Sequence, residues 1–444
     1  MDLSVILPVV NERANLEILL PRLRALLERE KLDFEILVID GGSSDGTAEA
    51  AERLGARVAR ERRRGYAGAL ETGFAEARGA YLLTLDADLS HEPAFIAKMW
   101  RARNRADIVV ASRYTQGGVS YGDRLRNLLS RILNLAMRRA LSMPVRDMSS
   151  GFRLYRREAI AGLKLESRNF EVLEEILVKA WAEGYSVYEA PFTYFPREAG
   201  RSHARLIRFG LDLAWAAARL WRLRNSVSSA DYDARAFYSV IPLQRYWQRR
   251  RHRITTFWAR GATRILDAGC GSSMIIQSLN NAVGMDFSMG KVRYLRRFGI
   301  PLARASAFAL PFRDGAFDCA ISSQVIEHIP FDDALFAEMR RVLTPNGTLI
   351  IGTPDYATIG WRTIEPLYGF FAPGGYRDEH ITHYTRESLL RILEKHGFAH
   401  EETAYVMRSE LIMRMRRVEL PANTAAPNEV GADGNKLSSP PHAA

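Results

Sequence analysis

Two aspartates one residue apart, Asp86 and Asp88 in LTLDADLSHEP (83–93), end a short apolar run and open a polar loop. Carboxylates so placed can share one divalent ion and a nucleotide. Hard cations such as Mg2+ or Mn2+ prefer oxygen ligands and bridge to phosphates, neutralising the charge that a departing diphosphate develops. A second run, VIDGGSSDGT (38–47), sets Asp40 at the end of another apolar stretch and follows it with Ser44, Asp45 and Thr47, side chains suited to capping a helix. A third constellation lies far downstream. RILDAGCGSSM (264–274) is an apolar stretch, an acid and a glycine-rich turn, and VGMDFS (283–288) brings another acid after the next apolar stretch. Glycines let backbone approach a ligand, and a carboxylate at the second strand's end can accept hydrogen bonds from both ribose hydroxyls. The pattern of Asp267, Gly269, Gly271 and Asp286 therefore suits a nucleoside.

These groups need elements to hold them. Residues 3–10 (LSVILPVV), 34–39 (FEILVI) and 80–85 (AYLLTL) are short apolar runs ending at polar loops, with helical spacing between them. That alternation predicts a parallel α/β sheet, whose ligands bind at the carboxyl ends of the strands. A second alternation begins at 264–268 and continues at 317–321 (FDCAI) and 348–352 (TLIIG), so two α/β units are expected in the 444 residues. A hydrophobic content of 47% is enough to build both cores and excludes a disordered chain. Cys270 and Cys319, without further partners, make neither a disulfide framework nor a zinc site, and Cys270 reads as a small packing residue. No basic segment leads a long apolar one at the start, and charged residues interrupt every candidate spanning stretch, so the expectation is a cytoplasmic protein with peripheral membrane contact only.

Charge narrows the partners. The chain carries 62 basic and 51 acidic residues for a net +11, and 55 of the basic residues are Arg. Arg forks onto phosphates and keeps its charge near apolar surfaces, which favours a phosphate-bearing ligand or an anionic membrane face, although genomic base composition can produce the same excess. Residues 201–264 alone hold fourteen Arg against three acids. Within them LIRFGLDLAWAAARLWRLR (206–224) has the pattern of a basic amphipathic helix lying on a membrane through Arg219, Arg222 and Arg224, the alternative being a helix packed on its own domain. The stretch 421–444, rich in Pro, Asn, Ser and Ala, reads as a disordered tail. No recognition-helix or aromatic-and-basic strand motif points to nucleic acid.

LPVVNE, VIDGGSSDGT, GYAGALETGFAEARG (65–79), DADLSHEP, VASRYTQGG (110–118) and SGFRLYRRE (150–158), in that order, resemble a family 2 glycosyltransferase with a GT-A fold, most of all the polyprenyl- or dolichyl-phosphate mannose synthases. The resemblance covers about 1–225 and implies a metal-dependent inverting transferase that takes a GDP- or UDP-hexose and a polyprenyl phosphate or other lipid acceptor. By motif, Pro8, Glu12 and Asp40 would frame the nucleobase, Asp86 would touch the nucleotide, and Asp88, with Asp86, would hold the metal. Arg113, Arg126, Ser130 and Arg131 would gather the acceptor phosphate, and Arg201 and His203 stand near the diphosphate, His203 replacing the family's usual Lys. A phosphate acceptor is already anionic and needs alignment rather than a strong base. An alcohol acceptor would need one, and Asp147 is the acid available for it, unless it caps a helix or pairs with Arg.

The second unit resembles class I S-adenosylmethionine-dependent methyltransferases over about 228–418, through RILDAGCGSSM, VGMDFS, LPFRDGAFDCAISSQVIEHI (310–329) and RVLTPNGTLIIGTPD (341–355). This implies a Rossmann-like fold with Asp267, Gly269, Gly271, Asp286 and Ser306 about the cofactor, Ser306 and Ser273 standing where the family more often has an acid and a glycine. His328, followed by His380 and His383, supplies the bases a hydroxyl acceptor would require, though any one of them can equally be structural. Taken together, the chain reads as a hexosyltransferase, with mannose from GDP-mannose as the leading choice, joined to a methyltransferase of a sugar or glycolipid at an anionic membrane surface. The alternatives are transfer to a non-lipid alcohol and a second unit that binds S-adenosylmethionine or regulates without catalysing.

Overall fold

The computed structural model describes residues 1–121, 123–195, 206–371 and 380–419, less the side chains of 126, 206–211 and 367–371. The expected tail at 421–444 lies outside the described residues.

Two seven-stranded sheets organise the chain. The first nine strands are β1 (Leu3–Val9), β2 (Phe34–Asp40), β3 (Arg57–Arg60), β4 (Tyr81–Thr84), β5 (Ile108–Ser112), β6 (Val119–Ser120), β7 (Arg153–Arg156), β8 (Val187–Pro191) and β9 (Thr193–Tyr194). Seven of them pair in the order β3-β2-β1-β4-β7-β5-β8, with β7 antiparallel to β4 and β5 and every other pairing parallel, while β6 and β9 form a short ribbon. The second sheet takes β10 (Ile265–Ala268), β11 (Ala282–Asp286), β12 (Leu302–Arg304), β13 (Phe317–Ser323), β14 (Leu343–Pro354), β15 (Phe398–Val406) and β16 (Glu410–Arg417). Their order is β12-β11-β10-β13-β14-β16-β15, with β16 antiparallel to both neighbours.

The apolar runs read from sequence are these inner strands. β1 is buried along nearly its whole length, as in a sheet covered by helices on both faces, which is why it shows no alternation. One cover is the Arg13–Arg29 helix, whose Leu16, Leu19, Leu20, Leu23, Leu26 and Leu27 recur on one face and are buried. Strand order reverses between β1 and β4 and again between β10 and β13, and each reversal opens a crevice at the carboxyl ends of the strands. Asp40 ends β2 and Asp86 and Asp88 follow β4 at the first, while Asp267 and Asp286 close β10 and β11 at the second.

The Leu206–Arg224 helix corrects one expectation. It does not lie on a surface through its arginines: Leu213, Ala216 and Leu220 are buried, Arg219 bridges Glu166 and Glu175, and Arg224 is fully buried. Of the three arginines expected outside, only Arg222 is exposed. Unpartnered apolar surface appears instead on the Arg124–Ala140 helix, where Leu125, Leu128, Leu129, Ile132 and Leu135 are between 64% and 43% exposed at helical spacing. No helix among the described residues is long and apolar enough to cross a membrane.

Arg224 is buried because it is paired. Its Nη1 and Nη2 each lie 2.7 Å from an Asp231 oxygen, and its Nε donates to the Leu141 carbonyl. Burial alone would push the Asp231 carboxyl up; the hydrogen bonds and charge of Arg224 outweigh it and hold that carboxyl well below the usual range. The same residues join the two units. Trp181 donates to Asp231 at 2.8 Å, Ala230 donates to the Ala182 carbonyl, and Arg293 and Arg297 reach from the second unit to the Glu183 and Gly184 carbonyls.

Breaking a buried pair by removing one member costs about 3–5 kcal/mol, so Arg224→Ala is expected to lose about that much unfolding free energy at pH 7, read by chemical denaturation. The folded carboxyl of Asp231 titrates below its unfolded value of about 4, so the pair's contribution is complete above that pH and is lost as pH falls through the folded value. Wild type and variant should therefore converge in strong acid. A difference below about 1 kcal/mol at pH 7 would remove the pair from the account of the junction.

Candidate functional site

The first crevice is framed by three loops tied to one another. Ser44 donates its amide to Asn11 Oδ1 at 2.8 Å, Asn11 donates its own to Ser43 Oγ, and Glu12 donates to Thr47 Oγ1, which lash the loop after β1 to the loop after β2. Asp40 accepts from the Ser43 amide and hydroxyl, Glu12 accepts from Asn15, and Pro8 sits in β1 opposite Ile39. Asp88 is 6% exposed, and its Oδ1 accepts from the Ser90 amide at 3.1 Å and the Ser90 hydroxyl at 2.5 Å. The Asp86 amide donates to His91 Nδ1, and His91 stacks on Phe152 at 5.0 Å, so the turn carrying both acids is braced from below. Gly151 closes the crevice: a Cβ there would stand 2.9 Å from the Tyr66 hydroxyl and 3.6 Å from Asp86 Oδ1, so only glycine lets the backbone come this close.

Behind Gly151 the network continues to the Arg124–Ala140 helix. Arg113 donates from Nε and Nη2 to the two Asp147 oxygens at 2.8 Å each, and from Nη2 to Ser149 Oγ. Asn134 donates to the same Ser149 and to the Ser130 carbonyl, the Tyr114 hydroxyl donates to Ser130 Oγ, and the Arg131 guanidinium stands over the Tyr114 ring. Asp147 is thereby corrected as a candidate base. It is fully buried and forked by Arg113, which also gives it its backbone amide, so its lone pairs are committed to holding that guanidinium. Burial works against the Arg113 charge, and Asp147 more than offsets it, leaving Arg113 firmly cationic. Arg201 and His203 lie outside the described residues, as does the side chain of Arg126.

The second crevice opens as a cavity of about 940 Å³, lined by Asp267, Gly269, Gly271, Asp286, Ser306 and His328. Every position expected about the cofactor lies on its wall. Gly269 holds φ +77° and a Cβ there would strike Val325 at 2.3 Å, so the turn admits no side chain. Asp286 accepts the Gly271 and Ser288 amides at 2.8 Å each, which fixes its carboxylate at the rim. Asp267 is different: its buried Oδ2 has no hydrogen-bond partner among the described residues, and burial, with Asp286 and Asp233 nearby, pushes it up to about 8. An acid so placed suits a ligand that brings its own positive charge. Cys270 in the same turn is buried, with its thiol pushed well above the ordinary value, and is no nucleophile.

A residue from between the units reaches this turn. Asp233, two positions after Asp231, accepts the Ser272 amide and donates its own to Ser272 Oγ, both at 3.0 Å. At the far wall His328 and His380 have ring centres 4.9 Å apart, and burial, with His328 and His383 beside it, lowers His380 to about 4. His383 stacks on Tyr356 at 4.1 Å. Glu327, not singled out from sequence, is fully buried next to His328, and burial pushes it up to about 8. Its signal was an acid set between apolar residues in QVIEHI.

Comparison with known proteins follows this division. Glycosyl transferase family 2 matches residues 4–163, and a methyltransferase domain matches 266–351. Dolichol-phosphate mannosyltransferase of Pyrococcus furiosus is 38% identical over 212 residues, 46% of this chain and 59% of that protein, so the chain spans little more than half of that relative. Polyprenol monophosphomannose synthase of Mycolicibacterium smegmatis is 32% identical over 213 residues, 45% of this chain and 79% of that protein. Among solved structures, glucosyl-3-phosphoglycerate synthase from Mycobacterium tuberculosis aligns with 50% of this chain and 79% of its own at 22% identity and a TM-score of 0.41. At 32% identity over 79% of the Mycolicibacterium synthase, the chain belongs to glycosyl transferase family 2, and a methyltransferase domain follows on the same polypeptide.

Proposed function

We propose that residues 1–225 transfer a hexose, mannose from GDP-mannose, to a polyprenyl phosphate at an anionic membrane surface. Residues 228–418 then methylate a sugar or glycolipid intermediate with S-adenosylmethionine. One observation carries the first half: the exposed apolar stripe of the Arg124–Ala140 helix runs past Ser130 and Arg131, the same helix is tied through Asn134 and Ser149 to Arg113, and Gly151, two residues after Ser149, packs against Asp86. A lipid tail lying along Leu125, Leu128 and Ile132 would bring its phosphate beside Arg131, which the same helix carries between Leu128 and Ile132. The names of the two relatives, a dolichol-phosphate mannosyltransferase and a polyprenol monophosphomannose synthase, support the same acceptor and sugar.

Chemistry agrees. Asp86 and Asp88 offer hard carboxylate oxygens, one of them nearly buried, a donor set that fits Mg2+ or Mn2+, and such a cation supplies charge neutralisation for the departing diphosphate. Pro8, Glu12 and Asp40 line the nucleobase end, and Arg113 with Arg131 orients the acceptor phosphate. An oxygen of that phosphate attacks the anomeric carbon as the nucleoside diphosphate leaves, inverting that carbon, and no proton has to be taken. The commitment of Asp147 to Arg113 suits a phosphate and disfavours an alcohol acceptor, which would need a base. In the second unit, a cavity of about 940 Å³ has room for the cofactor and part of an acceptor. Asp286 would hold the ribose hydroxyls and Asp267 the cationic end.

The deciding experiment incubates the full chain with labelled nucleotide hexoses, polyprenyl phosphate and Mg2+ or Mn2+ and extracts the product into organic solvent. Asp88→Asn is expected to abolish extractable label while circular dichroism stays unchanged, since the amide loses the charge that holds the metal. Transfer within a few-fold of wild type at saturating metal would sink the assignment. Leu128→Glu with Ile132→Glu is expected to weaken sedimentation with anionic liposomes by about tenfold or more, each buried aliphatic side chain contributing about 1.5–3 kcal/mol. Undiminished sedimentation would take the stripe out of the membrane. For the second unit, Asp286→Ala should weaken S-adenosylmethionine binding, measured by calorimetry of the full chain, by about tenfold or more for each charge-assisted bond lost. Equal affinity in wild type and variant would place the ribose elsewhere.

A further inference from the structure

Glu327, His328 and His380 bring three ligand atoms within 4.8 Å of one another, beside the cofactor cavity whose wall His328 forms. Glu327 and His328 stand in the 3-10 turn Ile326–His328 that follows β13, and His380 comes from the segment ahead of the Arg386–Lys395 helix. Glu327 has no exposed surface. Among the described residues neither of its carboxylate oxygens has a hydrogen-bond partner of good geometry, the Thr353 hydroxyl being the group beside them. Burying a carboxylate without compensation costs several kcal/mol, a cost that a cation bound beside it would offset. The cation within its field, Arg251, is already forked onto Glu410.

His380 is held as a ligand is held. Its Nδ1 lies 2.7 Å from the Tyr356 hydroxyl and 3.4 Å from Glu365 Oε1, and that hydroxyl lies 3.2 Å from the same Glu365 oxygen. An Nδ1–H directed into this polar pair sets the ring orientation and tautomer and leaves Nε2 as the nitrogen with a lone pair to give. Trp361 packs at 5.7 Å from the ring and keeps it from turning.

We propose that Glu327, His328 and His380 form a divalent transition-metal site whose cation takes the hydroxyl of the methyl acceptor, making the second unit a metal-assisted O-methyltransferase. The proposal rests on reading residues 228–418 as an S-adenosylmethionine-dependent methyltransferase. Two imidazole nitrogens and one carboxylate suit Zn2+ or Co2+ better than Mg2+, and three protein ligands leave a coordination position open. A hydroxyl seated there loses its proton to water near neutral pH. Its oxygen then forms the new C–O bond with the sulfonium methyl, and the S–CH3 bond breaks with its electron pair left on sulfur, giving the neutral thioether S-adenosylhomocysteine.

The test uses the full chain, stripped of metal with a chelator and titrated with Co2+ under visible spectroscopy, with S-adenosylmethionine binding measured in parallel by calorimetry. Wild type is expected to develop d–d absorption that saturates at one equivalent and is displaced by Zn2+. Asp88→Asn should keep it, which separates this site from the carboxylates of the first unit. His380→Ala and the near-isosteric Glu327→Gln should weaken Co2+ binding by about 100-fold or more while S-adenosylmethionine still binds. A wild type that binds S-adenosylmethionine and shows no such absorption overturns the metal site alone, and one that binds neither overturns the methyltransferase reading with it. Bands that persist in both variants overturn the ligand assignment.

Discussion

A guanidinium with no exposed surface has to be answered by a carboxylate, and Arg224 and Asp231 meet that demand where the two α/β units join. Around the pair, one end of the first unit is fixed: Arg224 also takes the Leu141 carbonyl at the end of the Arg124–Ala140 helix, and Asp231 takes Trp181 from the helix Val172–Ala182. The turn after this helix is where the second unit docks, through arginines that donate to its carbonyls and lie over its aromatic rings. One backbone bond, Ala230 to the Ala182 carbonyl, is made at this turn. Arginine donors satisfy the next carbonyls of the helix C-terminal turn, with no demand on strand register.

The two crevices differ in how their acids are balanced, and the difference tracks what each site has to bind. In the first, Asp147 is answered by Arg113, so the acid serves to aim a cation at an anionic acceptor. In the second, Asp267 and Glu327 are buried with no ion pair of their own among the described residues, Arg251 near Glu327 being forked onto Glu410, and burial pushes both up to about 8. Acids kept that way suit ligands that bring positive charge of their own, the opposite of the anionic acceptor that Arg113 suits.

Much of this was legible in the sequence because strand-ending motifs bind a residue type to a place. LTLDADLS and RILDAGCG name both the apolar strand and the polar turn at its carboxyl end, and the crevices appeared where the strand order reverses. The two amphipathic helices were not legible in the same way. The 206–224 segment and the 124–140 segment both alternate Leu with Arg at helical spacing, and a period of 3.6 reports that one face is apolar without saying whether that face turns inward. Tertiary pairing decided it, since Asp231 drew Arg224 inside while nothing among the described residues covers Leu128. Asp147 was open for a related reason: beside its motif it could be a base or the partner of an Arg, and Arg113, distant in sequence, decides for the pair.

Asp231 and Asp233 stand two residues apart at the head of the Tyr232–Phe237 helix, the first locked into the glycosyltransferase side and the second clasping Ser272 of the cofactor turn. Each residue added to a helix rotates the downstream chain by about 100° and advances it by about 1.5 Å. A single insertion or deletion between these two aspartates would break one clasp or the other. The spacing of one intervening residue, Tyr232, therefore acts as a phase mark between the two units, holding the cofactor turn of the second at a fixed rotation from the helix that closes the first.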